Sequence, residues 1–164
     1  MAIISLLLAA ILVTVDQVTK YFVTLHLKPV GKVPVIENFF NLTYLENRGA
    51  ALGSMQNLHW LLIPATIIGC LFLVVLLFRY KEHTMLSYMA MALIIAGGVG
   101  NLIDRIRFRF VVDFLDFPWF GYVFNAADCW VTVGAVLLMV AIIRHDGKQK
   151  KREAPKTKDM ENEA

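Results

Sequence analysis

The chain has 164 residues, enough for one domain, and 58% of them are hydrophobic. Only 18% are charged, against roughly 25% in soluble proteins. The apolar residues gather in long blocks, which excludes an ordinary soluble helical bundle, whose helices need a polar face. The net charge of +3 is modest, and its placement matters more than its size.

A bilayer-spanning helix needs about 20 largely apolar residues. Residues 1–15 carry no charge, and apolar character runs on to Leu27, interrupted only by Asp16 and Lys20. This predicts a first span over about 3–25. No basic segment precedes the run and no small-x-small site follows it, so a retained span is expected rather than a cleaved leader. Residues 28–57 read differently. Phe40, Leu42 and Tyr44 alternate with Asn41 and Thr43, the period of a half-buried strand. Asn47-Arg48-Gly49 reads as a turn. A small sheet lying on the outer membrane face is expected here.

Second and third spans are predicted over about 58–78 and 85–103, both free of Asp, Glu, Lys and Arg. The 79–83 turn between them carries Arg79 and Lys81. Residues 104–121 mix Phe108, Phe110, Phe114, Phe117, Trp119 and Phe120 with Arg105, Arg107 and Arg109. That composition suits a short amphipathic segment in the headgroup layer. A fourth span over about 123–143 contains a single charge, Asp128. The sequence thus describes one integral membrane domain over 1–145, all-α in its membrane part, with a basic and acidic tail over 146–164 expected to be disordered. Residues 144–158 hold seven Lys or Arg, which the positive-inside rule keeps in the cytoplasm. Four spans put the N-terminus there too, although the three arginines after the third span weigh mildly the other way. The tail's basic run is short and broken by acids, which argues against nucleic acid as a partner. Cys70 and Cys129 lie inside spans without metal-ligand spacing and read as small buried hydrophobes.

Polar residues in spans need a reason, since an Asp at a helix centre costs roughly 2.5–3.5 kcal/mol on insertion scales. Asp16 and Lys20 stand four apart, acid first, the favourable order for an ion pair. They read either as a paired helix end with Lys20 reaching outward or as substrate contacts. Asn101, Asp104 and Arg105 end the third span after Gly97, Gly98 and Gly100, glycines that let helices approach closely. Arg105 is a partner for Asp104 or for a headgroup. Asn125 and Asp128 share a helix face about one turn into the fourth span. Asp113 lies in the preceding loop among apolar neighbours. Two acids at one membrane face resist joint ionisation, and one proton shared by two carboxylates is the aspartic-protease arrangement. On spacing alone a proton relay in a small transporter or channel subunit fits as well, and a non-catalytic scaffold glued by Asn101 and Asn125 also stays open. Asp116, one turn on and followed by Phe117-Pro118, reads as a solvated loop acid.

Five segments in order then carry a resemblance: Asp16-Gln17-Val18-Thr19-Lys20, the 47–53 run Asn-Arg-Gly-Ala-Ala-Leu-Gly, the 97–105 run ending in Asn101-Leu102-Ile103-Asp104-Arg105, Val111-Val112-Asp113-Phe114, and Phe124-Asn125-Ala126-Ala127-Asp128. With the spans between them, the chain resembles the lipoprotein signal peptidase (signal peptidase II) family. The resemblance implies an aspartyl endopeptidase of the bacterial cytoplasmic membrane with its site near the outer face. It implies a prolipoprotein substrate bearing diacylglycerol on a cysteine, cut just before that cysteine. It implies Asp113 and Asp128 as the catalytic pair, supported by Asp16, Lys20, Asn47, Gly49, Asn101, Asp104, Arg105 and Asn125. No metal or organic cofactor is expected. Membrane lipid is expected as a partner, with the protein monomeric. Leu52 departs from the aromatic residue common in the family and puts one substrate contact in question.

Overall fold

Lipid rather than water explains the outside of this bundle. In the first helix, α1 (Ala2–His26), the exposed side chains Ile4, Leu7, Ile11, Val15, Val18, Phe22 and Leu25 recur every three or four residues. The buried ones are Ser5, Ala9, Asp16 and Lys20. The helix is amphipathic inside out, with apolar residues facing lipid and small or polar ones facing protein. The computed structural model describes residues 1–49, 59–80 and 83–153. Leu52, Lys81 and residues 154–164 lie outside the described residues.

After α1 come β1 (Lys32–Ile36) and β2 (Phe40–Asn47), then α2 (His59–Arg79) and α3 (Met85–Phe108). Strands β3 (Val111–Phe117) and β4 (Tyr122–Phe124) follow, and α4 (Ala126–Glu153) closes the order. Four helices are long and apolar enough to cross a membrane: α1, α2 from Trp60, α3, and α4 as far as His145. α3 is the hub and packs against each of the other three. Small residues make this possible. A Cβ on Gly97 would collide with the Ala127 carbonyl oxygen, and one on Gly134 would meet the Ala90 carbonyl oxygen at 2.8 Å. In lipid such close approach supplies the packing that apolar burial supplies in water.

The strands come from the two loops at one end of the bundle and form one antiparallel sheet in the order β1-β2-β3-β4. The sheet expected from the 33–45 pattern is therefore present, and it also recruits the second loop. Of the aromatics expected in a short amphipathic segment, Phe108 ends α3 and Phe110 precedes β3, while Phe114, Phe117, Trp119 and Phe120 stand in the β3–β4 hairpin, the last two exposed at its turn. Three boundaries differ from the sequence reading. α3 runs past 103 to Phe108, ending where Arg109 takes a left-handed φ of 64°. α4 starts at Ala126 because residues 122–124 pair with β3. It then continues to Glu153, beyond the expected start of the tail at 146, because Lys, Gln, Arg and Glu are good helix formers and extend a helix already begun.

Candidate active site

The first turn of α4 is held by a reciprocal cap. Asn125 accepts from the Asp128 backbone N–H through Oδ1 at 2.9 Å. Asp128 Oδ2 accepts from the Asn125 N–H at 3.3 Å. This is a capping box built with Asn and Asp. It fixes the Asp128 carboxylate over the helix N-terminus, where the macrodipole favours negative charge. The same Asn125 side chain donates through Nδ2 to Asp113 Oδ1. One residue therefore touches both acids, and its amide orientation is set by the backbone it caps.

Asp113 stands on β3, not in a loop, and is buried with its neighbours Val111, Val112 and Phe114. A bulge in β2 decides its second partner. Leu42 pairs with Leu115 and Leu45 pairs with Asp113, so β2 spends three residues where β3 spends two. Strict alternation would put Asn41, Thr43 and Asn47 on one face. The extra residue turns Asn47 to the face of Asp113, and Asn47 Nδ2 donates to Asp113 Oδ2 at 2.8 Å. Asn41 and Thr43 stay on the other face and bond Asp116 instead, Thr43 at 2.8 Å and Asn41 at 3.3 Å.

Behind Asp128 lies a buried charge cluster. Lys20 Nζ meets Asp16 at 2.9 Å and Asp104 at 3.0 Å, and it donates to Asn101 Oδ1 at 3.0 Å. Its three donors are matched by three acceptors. Asn101 is thereby oriented so that its Nδ2 donates to Asp128 Oδ1 at 2.7 Å. Asp16 also accepts from the Ala127 N–H and Asp104 from the Val112 N–H. One ammonium thus ties α1, α3, α4 and β3 together. Lys20 does not reach outward as one sequence reading had it. Two carboxylates buried beside it hold it inside. Gln17, quoted with its segment but not chosen as a site residue, donates to Gly100 O, Asp16 and Asp104. Its signal was the one used for its neighbours, a polar side chain within a span.

Asp113, Asp128, Asn47, Gly49, Asn101 and Arg105 line one cavity of about 770 Å³ beneath the sheet. Asp16, Lys20 and Asp104 are not in its lining and support it from behind. Arg105 donates to the Asn101 carbonyl at 3.3 Å rather than pairing with Asp104. Glu46, Arg48 and Thr132 also line the cavity, although composition gave no reason to choose them. Arg48 stands over the Phe110 ring and bonds Glu46. Among the described residues neither Asp113 nor Asp128 is in an ion pair, and no three His, Cys, Asp or Glu side chains converge to hold a metal. Burial pushes the Asp113 carboxyl up to about 7, and the charge of Asp128 pushes the same way, against the Asn47 and Asn125 bonds. An acid and a carboxylate facing one cavity can exchange a proton with a bound water and with a carbonyl oxygen.

Asp116 is a strand residue rather than a solvated loop acid. Its carboxylate accepts from Lys32 at 2.9 Å as well as from Thr43 and Asn41. Cross-strand partners 73 to 84 residues away in sequence make the difference.

Residues 8–144 match the family model described as signal peptidase (SPase) II. A lipoprotein signal peptidase of Caldanaerobacter subterraneus subsp. tengcongensis is 42% identical, over 87% of this chain and 98% of the relative. Another, from Clostridioides difficile, is 41% identical over 88% of this chain and 98% of the relative. A solved structure of a bacterial membrane enzyme superposes with a TM-score of 0.80 at 34% identity, covering 88% of this chain and 90% of that one.

Proposed function

The chain belongs to the signal peptidase II family, a family of peptidases, and from that premise we propose that Asp113 and Asp128 act as one aspartyl pair in removing the signal peptides of lipoproteins. The observation that supports this most is that two acids from different elements face one cavity, each held by amide donors and neither by a cation. Lys or Arg neutralises a carboxylate that serves structure. Amides orient one and leave it free to trade a proton.

In this reading Asp113 carries the proton at rest. Asp128 takes a proton from a water as its oxygen attacks the scissile carbonyl carbon. Asp113 hydrogen-bonds the carbonyl oxygen and passes its proton there as the tetrahedral intermediate forms. Collapse breaks the C–N bond, the nitrogen takes the proton held on Asp128, and Asp113 recovers its own. The supporting residues hold the pair's geometry: Asn47 and Asn125 at Asp113, Asn101 and Asn125 at Asp128, with Asp16, Lys20 and Asp104 behind them. Gly49 and Arg105 border the substrate.

The protein is a multi-pass membrane protein, with four helices of spanning length and apolarity. We place the sheet and the pair at the outer face of the bacterial cytoplasmic membrane and both termini in the cytoplasm. The protein works as a monomer, and its substrate is a prolipoprotein already bearing diacylglycerol, entering sideways from lipid and cut just before the modified cysteine. An apolar signal helix and two acyl chains keep that bond at the membrane surface, and a site one helical turn below the surface meets both it and water.

The test is cleavage of a lipid-modified prolipoprotein by purified protein, with Asp113→Asn and Asp128→Asn made separately. Each variant is expected to lose turnover by about a thousandfold or more while eluting as a folded protein. Turnover near the wild-type rate in either variant contradicts the pair.

A further inference from the structure

A second cavity, of about 420 Å³, opens at the end of the bundle away from the sheet. Its walls are the last turns of α2 and the far part of α4, and its floor is the start of α3. Polarity along it is graded. On α2 the lining runs from Phe72 through Leu76 to Tyr80, and on α4 from Leu138 through Ala141 to His145. α3 runs the opposite way and shows the reverse order, Thr84 and Ser87 first and Met91 last. All three helices therefore agree: apolar toward the membrane interior, polar toward the surface. From Phe72 to Tyr80, just past the end of α2, the lining advances eight residues, about 12 Å at the helical rise, so the space is elongated along the helices.

Its mouth is basic. His83, held there by donating through Nε2 to the Leu76 carbonyl at 2.9 Å, lies with His145 at the polar end. Arg79 and Arg144 adjoin Tyr80 and His145 in the chain, and both are exposed. No acid is among the lining residues.

We propose that this groove holds one anionic diacyl phospholipid of the adjoining leaflet. An acyl chain lies along Phe72, Leu76, Leu138 and Ala141, and the phosphate sits at the His83–His145 mouth. The graded lining matches an amphiphile and not a compact solute. Arg79 and Arg144, exposed and next in the chain to lining residues, favour an anionic headgroup over a zwitterionic one, each Lys or Arg near the surface being worth severalfold. The site is separate from the peptidase site, which uses the opposite ends of α3 and α4.

Native mass spectrometry of the full-length protein in non-ionic detergent tests this, titrated with phosphatidylglycerol or with phosphatidylcholine of the same chains. Wild type is expected to retain one phosphatidylglycerol with roughly tenfold preference over phosphatidylcholine. The double variant Arg79→Gln, Arg144→Gln should bring the two lipids near parity. Ala141→Phe fills the chain slot and should lose both lipids. Ile142→Trp, at an exposed position on the groove edge, does the same should Ala141→Phe fail to fold. Equal retention of the two lipids by wild type overturns the proposal, as does undiminished retention in a folded groove-filled variant. So does a disulfide-linked dimer through Ile142→Cys that phosphatidylglycerol fails to suppress, which would make the occupant a second copy.

Discussion

Asp113 and Asp116 stand three residues apart on β3, and an odd spacing sends them to opposite faces of the strand. On one face Asp116 meets Lys32, Thr43 and Asn41. Burial works to push its carboxyl up, but these donors together outweigh burial and hold it below the usual range. On the other face Asp113 meets two neutral amides and a second acid, and it rises to about 7. The residue type and the strand are the same, so the partners alone set the two environments apart. The cluster behind them makes the same point: Asp16 and Asp104 are as buried as Asp113, but they share Lys20. An acid beside an ammonium holds the fold together. Asp113, among the described residues, has amide donors and no ion pair.

The comparison breaks most severely at Lys20. Lys20→Met leaves Asp16 and Asp104 buried without their cation. A loss of about 3–5 kcal/mol is expected, as for other broken buried pairs, read as a lower melting temperature and poor yield. Unchanged melting would mean that the ammonium is not what holds these helices. Asp113→Asn should act in the opposite sense. Asp113 is raised from 3.8 to about 7, so its contribution to stability is full below pH 3.8 and is lost as pH rises through about 7. The variant should melt near wild type at pH 4 and above it at pH 8, by up to about 4 kcal/mol. Asn47→Ala removes a bond that lowers the Asp113 carboxyl, so that carboxyl should move further above 7. Turnover should fall roughly tenfold, the worth of one well-placed hydrogen bond, and the alkaline edge of the pH–rate profile should move up. Asp116→Asn is the mildest change. It should keep peptidase activity and cost about 1 kcal/mol or less, since Lys32 is half exposed.

The spans were legible in the sequence because lipid demands unbroken apolar runs, and no soluble fold offers a competing reason for three such blocks. The acids stood out because charge is costly at a membrane, and the ordered motifs pointed to Asp113 rather than Asp116. The ordered motifs named Asn47, Asn101 and Asn125, but not which donor meets which acid. Asn47 reaches Asp113 only because of one extra residue in β2, and a bulge leaves no mark on the hydrophobic alternation. Lys20 reads as an outward-reaching helix-end cation or as a substrate contact until α3 brings Asp104 beside it. Asp116 looked solvated because Lys32 and Thr43 come from the other loop. Each miss is a long-range pairing, which local periodicity does not encode.

The pH dependence of kcat/KM on a lipid-modified prolipoprotein tests the central claim most directly, since it reports the ionisation of the free enzyme. An acid and a base sharing one proton predict an alkaline limb falling through about pH 7, set by the Asp113 carboxyl. The limb should rise in Asn47→Ala and stay in place in Asp116→Asn. A profile flat from pH 5 to 9, or a limb that moves with Asp116 instead, would contradict the account.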